Sequence, residues 1–267
     1  MLNIQPPFGY RALKPFNRLD YVRLLDAGEV PAFTHESPIV PLSYSEIAVA
    51  AWHYPIIFIE DAIAGTHAVA ALVGLGHNLF SRDTGTDAAR WTDGAYVPAY
   101  LRRYPFCMAT ITVDDKREPD LMVCVETSRI DSEPFDGAIR LFDEQGEPTD
   151  RWPAIETFLK EYEGDLEASR AFTRRLAELD LLEPFTANIV RADGTQHNVT
   201  GMVRVSEEKL ATLDADSLAA LHREGLLGRI YIHLFSLQRF HQLLERESRE
   251  QQPAAPESAA DALIAAD

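Results

Sequence analysis

The sequence predicts an α+β fold, with an antiparallel sheet built from hairpins, helices grouped beside it, and further helices at the C-terminus. Strand-like runs follow one another without a helix between them, as at 54–59 and 66–75. Apolar residues recur at the helical period in two later segments, 154–179 and 207–244. Neighbouring paired strands with separate blocks of helices are typical of the α+β class.

Composition divides the chain into three parts. Six prolines in residues 1–41 break helices and favour extended backbone, which predicts an irregular N-terminal arm. Residues 42–245 carry the strand and helix patterns of a single domain, and a 267-residue chain with 46% hydrophobic residues can bury a sizeable core. Residues 246–267 are rich in Glu, Gln, Ala and Pro, which predicts a disordered acidic tail.

The domain is predicted to begin with a short helix at 43–52. Ser43 and Glu46 have the spacing of a capping box, in which the two residues satisfy the first free N–H groups of a helix. Pro55 ends the helix, because proline cannot continue the hydrogen-bond ladder. The hairpin of 54–59 and 66–75 follows, with a loop at 60–65.

The middle of the domain is predicted to contain a loop, a helix and a second hairpin. Gly, Asp and Thr in 80–91 predict an exposed loop, and 95–104 is predicted to be a short helix stopped by proline. Two apolar runs at 106–113 and 121–127 predict the hairpin. Their continuous apolarity predicts central strands that are buried on both faces.

The last part is predicted to be mostly helical. One or two amphipathic helices cover 154–179. A third hairpin pairs 186–191 with 198–205, because Asp193-Gly194 between strand-like runs is a strong turn signal. Helical patterns then continue through 207–244.

Charge and apolar runs exclude several classes of partner. A net charge of −17 repels a phosphate backbone, so no nucleic acid partner is predicted. No uninterrupted apolar run reaches the roughly 18 residues of a membrane span, so the protein is predicted not to be membrane-integral. Cys107 and Cys124 lie in apolar runs and predict no disulfide framework. With no export signal recognised, a cytoplasmic location is expected, the alternative being the cell surface by a non-classical route.

Several phrases between Pro41 and Leu244 match one family. The most specific is Tyr-Val-Pro-Ala-Tyr-Leu-Arg-Arg-Tyr-Pro-Phe at 96–106. The others are Tyr-Pro-Ile-Ile-Phe at 54–58, Gly-Leu at 74–75, Asn-Leu-Phe at 78–80, Trp91, Leu-Phe at 141–142, Gly-Glu-Pro-Thr at 146–149, Leu-Leu-Glu-Pro at 181–184, Gly201 and the segment 205–210. On these phrases the chain resembles the SapC family.

The resemblance implies a context rather than a chemistry. The family takes its name from a gene associated with bacterial surface layers. Members often lie near genes for TonB-dependent receptors and flavin-dependent halogenase-like proteins, so envelope or uptake proteins and a halogenase-like neighbour are the partners it implies. No catalytic residues are established for the family, so none is carried over. The label of a peptide transport permease conflicts with the missing membrane spans.

The family phrase also contains the strongest candidate for a binding surface. On a helix, a spacing of four places Tyr96, Tyr100 and Tyr104 along one side, next to Arg102 and Arg103. Aromatic faces beside guanidinium groups suit a sugar ring, an anionic group or an acidic loop of a partner. The alternative is that the tyrosines pack on the sheet while the arginines pair with carboxylates.

Glu126 is a further binding candidate, because it ends an apolar run. It is predicted either to be desolvated or paired with Arg102 or Arg103, or else to reach water or cap a neighbour at the strand end.

Eight histidines raise the question of a metal, but none shows paired ligand spacing on one helix or strand. The sequence therefore predicts no metal, and a three-ligand site formed by folding of His53, His67 and His77 is the residual candidate. No glycine-rich turn opens a helix after a strand, and no cofactor is predicted.

Two functions follow from these observations. The first is a non-catalytic accessory or binding protein of a bacterial surface-layer or TonB-dependent uptake system. The alternative is an enzyme of unrecognised class, possibly metal-dependent, which acts on a sugar or peptide. The observation that best separates these two hypotheses is whether His53, His67, Arg103 and Glu126 converge on one cavity.

Overall fold

The structure is a computed structural model that describes residues 2–61, 65–113, 116–190 and 196–251. The strands are β1 Leu2–Asn3, β2 Leu13–Pro15, β3 Tyr21–Val22, β4 Glu29–Pro31, β5 Ile39–Pro41, β6 Ile56–Asp61, β7 Thr66–Leu72, β8 Ser81–Asp83, β9 Ala88–Trp91, β10 Phe106–Val113, β11 Lys116–Glu126, β12 Ile130–Asp131, β13 Ile139–Arg140, β14 Leu182–Val190 and β15 Gln196–Val205. The α-helices are α1 Ile47–Ala50, α2 Ala99–Arg102, α3 Trp152–Glu178, α4 Glu207–Ala211, α5 Ala215–Arg223, α6 Leu226–Ser236 and α7 Phe240–Gln251. Short 3-10 helices cover Ala32–Glu36, Thr127–Arg129 and Leu237–Arg239.

The predicted fold class is confirmed, because antiparallel sheets made from hairpins are combined with helices that include a C-terminal group. A five-stranded sheet has the order β14-β15-β6-β7-β5. It contains the first and third predicted hairpins, β6 with β7 and β14 with β15, both antiparallel. The Asp193-Gly194 turn itself lies outside the described residues. Main-chain pairing of Met202 with Ile59 and of Val203 with Phe58 joins the two hairpins.

The second predicted hairpin is present but is not buried along its length. β10 and β11 are the central strands of a four-stranded sheet with the order β1-β10-β11-β2. At its base, Cys124 and Val125 are fully buried, whereas Leu121 and Met122 are 42% and 43% exposed. The prediction of burial on both faces was therefore wrong for Leu121 and Met122.

Residues 80–91 form a hairpin rather than the predicted exposed loop. β8 and β9 are antiparallel, and β4 completes a three-stranded sheet with the order β4-β9-β8. Ala88, Ala89 and Trp91 are buried, and the Trp91 indole donates a hydrogen bond of 3.1 Å to the Tyr54 hydroxyl. The polar residues that predicted a loop are concentrated in the turn between the two strands, which hid the short apolar strand after it.

The N-terminal arm contributes a short strand to every sheet. β1 and β2 flank the hairpin of β10 and β11. β3 lies between β12 and β13 in a three-stranded sheet, while β4 and β5 extend the other two. Prolines end several of these strands, so the arm has little regular structure, yet its main chain is hydrogen-bonded to the rest of the fold.

Helix α7 continues beyond the predicted domain boundary at residue 245. The Arg246 guanidinium lies 4.0 Å from the centre of the Phe80 ring and donates a hydrogen bond of 3.1 Å to the Leu79 carbonyl. These contacts hold α7 against the segment that precedes β8. The remainder of the predicted tail, 252–267, lies outside the described residues.

Helix α3, predicted as one or two helices, is a single helix of 27 residues. Its first turns carry Trp152 and Leu159 into a core beneath the hairpin of β10 and β11. Its later turns carry Tyr162 and Phe172 into the larger core around the five-stranded sheet. A helix of this length spans roughly 40 Å, so α3 can serve both cores.

A buried carboxylate links the start of α1 to the start of α2. Glu46 Oε2 accepts hydrogen bonds from the Ser43 main-chain N–H at 2.9 Å and from the Ser43 hydroxyl at 2.7 Å. Its Oε1 accepts from the Tyr96 hydroxyl at 2.8 Å and from the Ala99 N–H. Glu46 therefore makes the contact predicted for a capping box and a second, unpredicted contact with α2, although α1 itself is shorter than predicted.

We predict that Glu46→Gln lowers the unfolding free energy by about 2 to 4 kcal/mol. The amide NH2 would replace one carboxylate oxygen, so two of the four groups that donate hydrogen bonds to Glu46 would face another donor and lose their acceptor. Denaturant unfolding followed by circular dichroism measures the change. Glu144→Gln, at an exposed position, is the matched control and should leave the midpoint unchanged. Equal midpoints for Glu46→Gln and the wild type would contradict the structural role.

A buried histidine connects α6 to the five-stranded sheet. His233 accepts a hydrogen bond from the Val205 N–H at Nε2, 3.1 Å long, and its Nδ1 lies 3.0 Å from the Ile56 carbonyl oxygen. This arrangement requires the neutral imidazole with its proton on Nδ1. Burial lowers the pKa of His233 to about 4, and the Ile56 carbonyl opposes that shift.

Because the unfolded chain binds this proton more readily than the folded one, His233 stabilises the fold above about pH 6.5 and ceases to do so as the pH falls towards 4. We expect about 2 kcal/mol of unfolding free energy to be lost through His233 between pH 7 and pH 5. Urea unfolding at both pH values measures the loss, and His233→Gln should show a correspondingly smaller pH dependence. An NMR titration in which His233 protonates near pH 6.5 in the folded protein would refute this assignment.

Candidate functional site

A cleft of ≈ 830 Å³ lies where the two cores meet. Its walls come from the arm, β6, β7, β10, β11, α3 and the segment around α2. The residues that line it are Gln5, Pro6, Pro7, Phe8, Pro41, Leu42, Asp61, His67, Ala68, Val69, Tyr100, Arg103, Met108, Ala109, Thr110, Leu121, Tyr162, Glu163, Leu166, Ser169 and Arg170. The cleft therefore brings three of the predicted candidates, His67, Tyr100 and Arg103, to one place.

Arg103 is held between aromatic rings at the inner end of this site. Its guanidinium carbon lies 4.3 Å from the centre of the Tyr100 ring, 4.9 Å from that of Tyr162 and 5.6 Å from that of Tyr10. The Arg103 side chain is only 4% exposed. Burial raises the pKa of Tyr100 to about 12 and that of Tyr162 further, while Arg103 opposes both shifts. The phenols are thus neutral at pH 7, and they contact the cation without neutralising it.

Glu163 forms a long ion pair with Arg103. Glu163 Oε1 lies 3.9 Å from Arg103 Nη1, which is beyond hydrogen-bonding range. Burial raises the pKa of Glu163, and Arg103 opposes the shift. The ion pair therefore leaves part of the hydrogen-bonding capacity of the guanidinium unused.

Three residues that line the cleft each contain a buried polar atom with no hydrogen-bond partner in the protein. These atoms are Arg103 Nε, the Tyr162 hydroxyl oxygen and His67 Nδ1. Burial of an unpaired polar group costs about 1 to 3 kcal/mol, so each such group calls for an explanation, and a bound water, ion or ligand is one. Because all three belong to residues that line one cavity, we take this cleft as the candidate binding site.

The tyrosine surface predicted on a helix over 95–104 is wrong in its geometry, because α2 contains only Ala99–Arg102. Tyr96 precedes the helix and donates its hydroxyl to Glu46, and Arg102 donates to the Tyr96 hydroxyl at 3.2 Å. Tyr104 follows the helix and lies beneath the Arg129 guanidinium at 5.4 Å.

Of the five residues of the predicted tyrosine surface, Tyr100 and Arg103 line the cleft. Arg102, Arg103 and Tyr104 border a second cleft of ≈ 310 Å³.

Glu126 is buried and holds the arm rather than a ligand. Its Oε2 accepts a hydrogen bond of 2.9 Å from the Arg11 N–H, and its Oε1 accepts one of 3.3 Å from the Ala12 N–H. These bonds satisfy a carboxylate that is 2% exposed, and they place β2 beside β11. The interpretation of Glu126 as a residue that caps a neighbour agrees with this geometry.

The three histidines named as residual metal candidates line three different cavities. His53 lies beside Arg239 in a pocket of ≈ 240 Å³, where burial and then Arg239 lower its pKa. His77 pairs with Glu250 at 3.0 Å near His35. His67 lines the main cleft. Within the part of the chain that the structure describes, no group of three or more His, Cys, Asp or Glu side chains is arranged to hold a metal ion.

Sequence reasoning missed Tyr10, Tyr162 and Glu163 as members of this site. Tyr162 was counted only as an apolar position of α3, and Tyr10 belongs to the arm. Both lie far from Arg103 along the chain, so no local pattern could connect them. The available signal was the placement of a tyrosine and a glutamate, adjacent in sequence, on the inner face of an amphipathic helix.

The fold and the cleft define an α+β protein with a ligand-sized cavity built around a buried arginine. The profile of the SapC family matches residues 23–243, so the chain belongs to the SapC family, as the resemblance of its phrases indicated. No curated protein and no solved structure matches the chain. Among the described residues, no helix has both the length and the apolarity needed to cross a membrane.

We predict that Arg103→Met combined with Glu163→Gln changes the unfolding free energy by no more than about 1 kcal/mol, because replacing a poorly paired buried ion pair with groups of similar size is often neutral or stabilising. Thermal and urea unfolding measure the change. Tyr100→Ala is the comparison, and loss of this buried aromatic should cost about 3 to 5 kcal/mol. If the double variant is destabilised as strongly as Tyr100→Ala, Arg103 is a structural residue and not a binding one.

Proposed function

We propose that this SapC protein is a non-catalytic binding protein that holds a small ligand in the cleft around Arg103, as an accessory of a bacterial surface-layer or TonB-dependent uptake system. One observation carries the proposal: Arg103, whose buried Nε has no hydrogen-bond partner, lines a cavity of ≈ 830 Å³. Ligand sites generally occupy about 300 to 1,000 Å³ and combine apolar walls with a few polar groups. The accessory role rests on the family to which the chain belongs.

The state of the other reactive side chains supports binding rather than catalysis. Burial raises the pKa of Cys107 to about 12 and that of Cys124 to about 11, so both thiols are protonated at neutral pH and are poor nucleophiles. Glu126 is engaged by the main chain of the arm. His233 is engaged at both ring nitrogens.

One observation favours the alternative of an enzyme that acts on a sugar or peptide. His67 lines the same cleft as Arg103 and Tyr162, and its Nδ1 has no partner. Histidine is the side chain that most often transfers protons in enzymes. Conversion of a bound compound therefore separates the two functions.

We predict that the chain, purified from its source cells without denaturation, carries a stoichiometric small molecule. Native mass spectrometry measures its mass, and release under denaturing conditions allows its chemistry to be determined. Arg103→Met should lose the compound, because the guanidinium is the main charged contact. Arg102→Met removes an adjacent arginine that does not line the cleft and should retain it.

Prolonged incubation of the protein with the recovered compound tests whether the protein converts it. A compound that returns with a changed mass favours the enzyme, while a chain that never carries a compound, even after exposure to a metabolite extract, removes the support for binding. The accessory role is tested separately by affinity capture and cell fractionation, because the protein is proposed to act from the cytoplasm or, alternatively, at the surface by a non-classical route. Recovery of no envelope, uptake or halogenase-like protein counts against that role.

A further inference from the structure

We infer that the cleft binds a monoanionic carboxylate carried on an apolar body, with the carboxylate bound by Arg103 and Tyr162 and the body lying against the walls formed by β7, β10, β11 and α3. This inference rests on the binding function proposed above and specifies its ligand. It follows from the unpaired donors, from the local charge and from the chemistry of the walls.

The polar atoms without partners match a ligand that accepts hydrogen bonds. Arg103 Nε carries only a donor, and the Tyr162 hydroxyl can donate as well. Burial raises the pKa of Tyr162, so its hydroxyl retains its proton at neutral pH. A guanidinium group fits the planar geometry of a carboxylate with two parallel hydrogen bonds, which makes arginine the usual partner of this group.

The charge around Arg103 favours an anion with one negative charge. The tyrosine rings that enclose the guanidinium are neutral, and the Glu163 oxygen remains 3.9 Å away. Arg170, at the exposed side of the cleft, already pairs with Glu167 at 3.2 Å. Two acidic residues, Asp61 and Glu163, also line the cleft. With these carboxylates and a net charge of −17 for the chain, Arg103 accommodates a single carboxylate more readily than a dianionic phosphate.

The walls of the cleft are apolar over much of their extent. The aliphatic side chains that contribute to them are Leu42, Val69, Met108, Leu121 and Leu166. A sugar would leave several hydroxyl groups facing these side chains without partners, and unpaired buried hydroxyls are costly. A hydrocarbon chain or ring buries the same walls favourably, at about 25 cal/mol for each Å² removed from water.

The inference predicts that 4-phenylbutanoate binds more tightly than 4-phenylbutanamide, which has nearly the same shape but no charge. Isothermal titration calorimetry at pH 7 on the full chain measures both, with inorganic phosphate and methyl glucoside as the dianionic and uncharged polar probes. We expect the carboxylate to bind at least about tenfold more tightly than the amide, because a charge-assisted pair with arginine exceeds a neutral hydrogen bond by about this factor.

Four variants, one of them a control, test the two halves of the ligand. Arg103→Met should abolish the preference for the carboxylate, and Arg102→Met should preserve it. Glu163→Gln should tighten carboxylate binding several-fold, because it removes a like charge, and this gain keeps the test decisive if Arg103→Met fails to fold. Leu121→Ser, at a 42% exposed position, should weaken the carboxylate and the amide equally.

The inference is overturned if the carboxylate binds no more tightly than the amide, if Glu163→Gln weakens carboxylate binding, or if no carboxylate binding is detected at millimolar concentration. In the last case, water alone meets the unpaired atoms. Recovery of a neutral compound by native mass spectrometry would refute the carboxylate assignment while the binding function stands. If neither native mass spectrometry nor calorimetry detects a bound compound, both the carboxylate assignment and the proposed binding function are refuted.

Discussion

The buried carboxylate of Glu46 is the interaction on which the geometry of the candidate site depends. It accepts hydrogen bonds from Ser43 on one side and from Tyr96 and Ala99 on the other. The two groups of donors belong to segments more than fifty residues apart, so one side chain fixes the start of α2 against the start of α1. Since Arg103 directly follows α2, the position of Arg103 depends on this anchor.

Helix α3 supplies the second constraint, because it spans two cores that would otherwise be separate. Its first turns pack beneath the hairpin of β10 and β11, and its later turns pack on the five-stranded sheet. Between these contacts, Tyr162 and Glu163 meet Arg103. A cavity at a junction between two cores is physically reasonable, because each core is close-packed within itself while the surfaces of the two need not be complementary.

The arginine in this junction is costly to keep, which makes it informative. A cation that is removed from water requires either a close anion or several hydrogen bonds. Arg103 has aromatic rings around it, and its nearest carboxylate oxygen lies beyond hydrogen-bonding distance. Cation–π contacts contribute about 0.5 to 2 kcal/mol each, which offsets only part of the desolvation. The binding role proposed for Arg103 would account for an arginine kept at this cost.

The sequence by itself determined the α+β class, the three hairpins, the long amphipathic helix and membership of the SapC family, because these depend on local periodicity, turn residues and short phrases. It failed at 80–91, where polar turn residues hid two short strands, and at Tyr96 and Tyr104, where a regular spacing was interpreted as a longer helix than the four residues of α2. Only the tertiary structure decided that Glu126 holds the arm, that the three candidate histidines lie apart and that Tyr10 and Tyr162 enclose Arg103. These contacts join residues distant in the chain, and burial, which gives each polar atom its significance, exists only once the chain has packed.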